Sequence, residues 1–235
     1  MQTARAAAAA ALVLLAAPSA AISVRSDPCE CMPWNTSYAA LEGNCSHLPR
    51  HICEGFLQRL SDPVCLNEDI DPFGHQFCPV SDECTQLEKG GGKKGGRNYK
   101  VCGDSDKKTS SFTPQELFEF AKQRNLDVAV AVKLAYPTMK EPNWESARDL
   151  VLMGSNETTK LGEFAQYFIH KLQEGDTPHI LDSVDGKPPF GILAGKSVWV
   201  VDVNYEAVVP LMKAKRSFLE NPNKNTVLYC KAWCK

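Results

Sequence analysis

The sequence predicts an α+β chain: an N-terminal disulfide-rich small domain followed by an α/β-type domain with a small sheet flanked by helices. Three observations predict it. Eight of the ten cysteines fall between Cys29 and Cys102. Gly103 to Ser111 then carries no apolar residue, so 103–112 reads as a linker. Beyond it, helix-spaced and β-branched runs alternate as far as Tyr229, the pattern of helices laid on a sheet. The expected organisation is a signal peptide over 1–21, a disulfide-rich domain over 22–102, the linker, and the α/β domain over 113–235.

The leader is read from its three zones. Met1 to Arg5 is a short basic start, Ala6 to Ala17 an unbroken apolar run, and Pro18-Ser19-Ala20-Ala21 a set of small residues suited to cleavage. Cleavage after Ala21 is expected, with Ala20 and Ser23 as alternatives. The run is shorter than the roughly 20 apolar residues of a membrane span, and no later stretch qualifies, so no stable membrane span is expected. Removing Arg5 leaves 25 of the 26 Lys and Arg against 28 Asp and Glu, a formal charge of −3. That balance gives no electrostatic reason to expect nucleic acid as a partner.

An even set of cysteines on an exported chain implies five disulfides, through Cys29, Cys31, Cys45, Cys53, Cys65, Cys78, Cys84, Cys102, Cys230 and Cys234. Intact mass should then rise by about 10 Da on full reduction, two protons per bridge. Sequons at Asn35, Asn44 and Asn156 fit the same route as glycosylation sites. Cys29-Glu30-Cys31 is too close to close on itself comfortably, so its two sulfurs are expected to take separate partners. Trp34 is expected to pack beside the disulfides. Pro49 suits the first turn of a helix over about 50–60. Cys45-x-His47-x-x-x-His51-x-Cys53 has the residue types of a zinc site. Pro49 interrupts it, and export favours oxidised cysteines with exposed histidines, so no metal is expected. Asn67 to Pro72 lacks the order of a calcium loop and reads as a solvated turn. Gly90 to Arg97 fails the phosphate-loop pattern and reads as a flexible loop tip.

Phe77-Cys78-Pro79-Val80-Ser81, Cys84, Leu87 and Tyr99-Lys100-Val101-Cys102 together resemble a cysteine-rich module of secreted algal proteins. In that module an aromatic residue precedes Cys, Val-Ser leads to a second Cys, Leu and glycines follow, and aromatic-Lys-x-Cys closes it. Here Pro79 stands where the module often has an aromatic residue, and Lys93-Lys94 are additional. The resemblance covers about a third of the chain, implies an independent folding module, and carries over no activity and no site residue.

In the second half, Thr113-Pro114-Gln115-Glu116 spells a capping box with proline at the first helical position, opening a helix to about Asn125. Val128-Ala129-Val130-Ala131-Val132 alternates β-branched residues and reads as a buried strand ending before Pro137. Helices are expected over Trp144–Leu152, over Lys160–Glu174 with Gly175 as its stop, and over Tyr205–Leu219 with Pro210 either in its first turn or kinking it. Asp176 to Pro189 reads as loop, with turn chemistry at Asp185-Gly186. Ser197–Val203 and Thr226–Tyr229 read as strands. Gly191 to Ser197 resembles a phosphate loop but lacks the first glycine and precedes a strand, so it reads as a tight approach to that strand.

No nucleophile elbow or zinc-protease helix is present. His170, Asp176 and His179 are close in sequence, but no Ser or Cys context marks a nucleophile beside them. Cys230-x-x-x-Cys234 has the wrong spacing for a redox pair and is expected to be structural, bonded to itself or back to the N-terminal module. The expected function is that of a secreted, disulfide-stabilised interaction or binding protein without catalytic activity or cofactor, its partner a protein or carbohydrate. The alternative is a secreted enzyme of hydrolase or thiol–disulfide type with its site in the α/β half. The expected location is outside the cell or in the secretory lumen, with an organelle reached by that route as the alternative.

Overall fold

The computed structural model describes residues 27–39, 48–87, 90–94, 97–153 and 162–234. The expected signal peptide, Cys45, His47, Asn44 and Asn156 lie outside them. The class is α+β, as the sequence predicts: short helices and a three-stranded sheet near the N-terminus, then helices on a five-stranded sheet.

The N-terminal part begins with α1 (Trp34–Ala39) and α2 (Arg50–Cys53). The helix expected over 50–60 stops early. Its remainder turns and closes as a single tight turn over Leu57–Arg59, which buries Phe56, Leu57 and Leu60. Strands β1 (Phe77–Val80), β2 (Gly92–Lys94) and β3 (Arg97–Val101) follow, in the antiparallel order β1-β3-β2. Part of the run read as a flexible loop is thus a strand, with Gly92 opposite Tyr99 and Lys94 opposite Arg97. Cys29 and Cys31 do take separate partners: Cys29 bonds Cys84, and Cys31 bonds Cys78 on β1. Cys65 bonds Cys102. Cys53 is disulfide-bonded as well. Trp34 is fully buried in the main hydrophobic core with Tyr38, Tyr99 and the disulfide-bonded Cys53, and its Nε1–H donates to Val64 O at 2.7 Å.

The polar run 103–112 is stitched down. The Thr109 hydroxyl donates to Cys65 O at 2.6 Å, and Thr109 N also bonds Cys65 O at 3.2 Å. The Gln76 amide reaches Thr109 Oγ1 at 3.0 Å and Ala135 O at 2.8 Å, while Asn67 Nδ2 bonds Asp71 O and Tyr136 O. These buried amides satisfy carbonyls from both halves, which an apolar filler would leave unpaired at a cost of about 1–3 kcal/mol each. Arg124 adds a two-pronged ion pair to Asp62. One hydrophobic cluster draws on Trp34, Phe56 and Leu66 from before the run and on Leu117, Val132 and Phe190 from after it.

Helix α3 (Pro114–Gln123) carries the predicted capping box: Thr113 Oγ1 accepts from Glu116 N, and the Glu116 carboxylate accepts from Thr113 N. Those bonds hold the Glu116 carboxyl below its usual range. The predicted strand at 128–132 is instead helix α4 (Val128–Ala135). Two physical facts overrule the alternation. Asp127 caps the segment, its Oδ1 accepting from Ala129 N and Val130 N at 2.9 and 3.2 Å. The helix is also apolar nearly all round, because it lies between the N-terminal core and the sheet and is buried on both sides. Burial lifts the Asp127 carboxyl above its ordinary range despite those bonds, so its charge is a burden and its acceptor oxygen is the useful part. The stability contributed by the neutral carboxyl is therefore present at low pH and lost as pH rises through that raised value. Asp127→Ala is expected to cost about 1 kcal/mol in urea denaturation at neutral pH, and Asp127→Asn to match or exceed the native chain.

The main sheet has the order β4-β5-β6-β7-β8, from β4 (Thr138–Met139), β5 (His179–Leu181), β6 (Phe190–Ala194), β7 (Ser197–Val203) and β8 (Thr226–Ala232). Its first pair is parallel and the rest antiparallel. Strand β5 lies within the stretch read as loop. Adjacent residues serve opposite faces, as strand geometry requires. Ile180, Ile192 and Val201 join the core under α3 and α4; Leu181, Leu193 and Val200 pack under α5 (Trp144–Met153) and α6 (Glu163–Glu174). Gly191 lies where Trp144 crosses β6: a Cβ there would stand 2.2 Å from the indole. The glycine of the phosphate-loop near miss thus serves helix-on-sheet contact, and Gly195 (φ +55°) turns the chain from β6 into β7. Helix α7 (Tyr205–Lys213) connects β7 to β8 and holds Pro210 within it.

Candidate functional site

A polar cleft of about 620 Å³ opens at one end of the main sheet. Its floor is an ion pair. Lys133 comes from the last turn of α4, and Asp182 immediately follows β5; Lys133 Nζ lies 2.7 Å from Asp182 Oδ1, with the side chains only 14% and 6% exposed. The ammonium also donates to Gly186 O at 2.5 Å and sits 5.1 Å above the centre of the Phe190 ring. Asp182 Oδ1 further accepts from Ser183 N at 2.9 Å. The ammonium thus has two oxygen partners and the carboxylate two donors, which offset the cost of keeping both charges largely out of water.

The walls follow from local chemistry. The Asp185-Gly186 turn read from the sequence is present, with Gly186 at φ +72°. Asp185 Oδ1 accepts from Lys187 N at 3.0 Å, and this bond is the main reason its carboxyl sits below the usual range. Ser183 Oγ donates to Lys187 O at 2.5 Å. On the facing side Asn143 caps α5, its Oδ1 accepting from Ser146 N, and Trp144 N bonds Asp182 O at 2.8 Å. Lys140 and Glu141 form the exposed rim beside the cis Glu141–Pro142 bond, and Asp69 closes the third side. The acidic turn at 67–72 therefore does more than face water: buried Asn67 anchors it, and one of its carboxylates reaches the cleft. Chemically, the site offers charges of both signs at its rim and a locked ion pair below.

The residues singled out from sequence fall elsewhere. His170 and Asp176 are exposed, and no hydrogen bond between described residues joins them to His179. His179 Nδ1 faces Thr177 O at 2.8 Å, and burial lowers its pKa. Cys230 bonds Cys234, so the second of the two pairings left open is excluded and the halves are joined by core packing instead. Of the Cys/His constellation, Cys53 is oxidised and His51 exposed. Asn35 sits half-buried in α1, and the Ser37 of its sequon is buried. The one group of described residues with ligand atoms close enough for a metal is Cys31, Cys65, Cys78 and Cys102, whose sulfurs lie within 4.8 Å of one another. All four are spent in the two adjacent disulfides. The sequence pattern hides the cleft because it puts Lys133 in a strand and Asp182 in a loop. The available signal was a lone lysine inside an apolar run, which has to find a partner if the run is buried.

Fold and site together define an α+β protein, stapled by disulfides, with a polar cleft at the end of its larger sheet. Comparison with known proteins adds no family: no protein-family model, curated protein or solved structure matches the chain. No helix among the described residues is long and apolar enough to cross a membrane.

Proposed function

We propose that this chain is an exported binding protein without catalytic activity, and that it takes a polar ligand of mixed charge, a protein loop or a carbohydrate, in the Lys133–Asp182 cleft. The observation that carries the reading is the chemistry of that cleft. Its buried polar groups are tied to one another, and its reachable ones, Lys140, Glu141 and Asp185, are solvated recognition groups of both signs. A locked floor with a charged rim suits recognition, where preorganised groups limit the entropy lost on binding. Closed disulfides fit an oxidising, secretory location, and the leader, the sequons and the likeness of residues 77–102 to a secreted module support the same route.

The test is binding of the secreted chain to arrayed oligosaccharides and to a displayed peptide library. Lys140→Glu and Asp185→Asn should each weaken capture of the selected ligand by about tenfold, the scale of one lost charged contact, with melting unchanged. Capture indifferent to both substitutions would remove the cleft from the reading. Turnover of the captured ligand, abolished by either one, would replace binding with catalysis.

A further inference from the structure

Helix α7 is an anomaly in this fold. It runs nine residues without burying one of them. Tyr205, Val209 and Met212 are 64%, 37% and 62% exposed and stand at i, i+4 and i+7, so they form one apolar stripe turned to solvent. A helix joined to a sheet ordinarily lays such a stripe on the core. Here both ends are fixed in a different place. Asn204 N bonds Asn225 O at 2.8 Å and Asn204 Nδ2 bonds Lys224 O at 2.9 Å, which pins the helix start. Beyond the helix, Arg59 Nη2 donates to Leu219 O at 2.5 Å and Asn225 Nδ2 to Phe218 O at 2.8 Å. The stripe is presented by a rigid mount. Lys213, Lys215 and Arg216 follow it; Arg216 pairs with Glu220, which leaves two exposed lysines at the end of the stripe.

A complementary surface lies on the same chain. Met139 and Pro142 on one side, and Phe164, Ala165 and Phe168 of α6 on the other, line an apolar groove of about 360 Å³. Phe164 is 81% exposed. Glu141 lines the groove and Glu163 stands exposed beside it, so its rim is acidic where the α7 stripe ends in lysines. Helix-in-groove recognition needs an apolar stripe at this spacing and a groove to receive it. We propose that α7 of one copy seats in the Met139–Phe168 groove of a second copy. The contact is heterologous, with each copy using a different surface, so it continues from copy to copy into a ring or a filament. A bilayer is the poorer occupant: the chain is net negative, and three residues on nine give little apolar area to bury in lipid.

Sedimentation velocity of the full secreted chain tests this. Self-association should rise with concentration and weaken in high salt, because the rim charges are screened. Met212→Asp on the helix and Phe164→Asp in the groove both alter exposed side chains, and each should weaken association by about tenfold or more. The deciding sample is the mixture. One variant retains a sound groove and the other a sound helix, so together they should form a dimer that grows no further. A chain that stays monomeric at every concentration overturns the proposal. So does association that only one of the two substitutions reduces, or a mixture that stays monomeric. Flotation with phosphatidylserine vesicles, lost in Met212→Asp but kept in Phe164→Asp, would assign α7 to lipid instead.

Discussion

Lys133→Ala is expected to lower the stability of the folded chain by about 3–5 kcal/mol, the cost of leaving one member of a buried ion pair without its partner. The cause is Asp182. Its carboxylate is almost out of water, and its remaining described hydrogen bond, from Ser183 N, leaves most of its acceptor capacity unmet once the ammonium is gone. The lost contact with the Phe190 ring and the lost bond to Gly186 O act in the same direction. For a chain of this size the melting temperature should fall on the order of 10 °C. The control is Lys133→Met with Asp182→Asn. It removes both charges, retains an acceptor for Ser183 N, and keeps an unbranched side chain over Phe190, so it should recover most of the loss. Calorimetry of the single and double variants decides it. If Lys133→Ala costs under 1 kcal/mol, the ordinary value for an exposed pair, then Lys133 and Asp182 are solvated and the cleft has no locked floor.

How much of this was legible before folding depends on how local each signal is. The α3 cap was read correctly because a capping box is closed by residues three apart, and nothing distant bears on it. The same holds for Gly175 after α6 and for the Asp185-Gly186 turn. Val128–Val132 misled because alternating Val and Ala satisfies a strand's period, while a helix buried on every side imposes no period at all. Asp127 was the local clue, a capping residue before an apolar run. Strand β5 was invisible for another reason: three residues, His179–Leu181, become a strand only because Met139 and Leu193 lie on either side of them.

The site shows the same division. Each charged residue of the cleft was plain in the sequence, but Asp69, Lys133 and Asp182 meet only through tertiary structure. The polar run 103–111 shows the converse limit. A segment without apolar side chains reads as a linker, yet Thr109 is buried because its hydroxyl and backbone serve the Cys65 carbonyl. Polar content predicts exposure only where no unpaired carbonyl is waiting for a donor.

Replacing Cys65 and Cys102 together by alanine is expected to cost about 4 kcal/mol, and replacing Cys230 and Cys234 about 2 kcal/mol, on the chain-entropy account of cross-links. The first bridge spans 37 residues and the second only 4, so they restrict the unfolded chain to very different degrees. Surroundings widen the gap. Cys65 and Cys102 are buried with Cys78 and Val80 in a cluster of their own, whereas Cys234 is exposed. Guanidinium denaturation of the secreted variants measures both costs, and the shape of the transition carries a second result. Core residues before and after 103–112 pack together, and Gln76, Asn67 and Thr109 hold that seam. Loss of Cys65–Cys102 should therefore shift one transition shared by the tryptophan fluorescence and the far-ultraviolet signal. Trp34 reports from the N-terminal core, while Trp144 and Trp199 report from the sheet, so separate melting of the two parts would split the fluorescence change. A split would mean that the N-terminal module folds by itself and that the seam adds little. A single shifted transition would mean that the described disulfides, although each closes within one half, stabilise the sheet and its cleft through the core the two halves share.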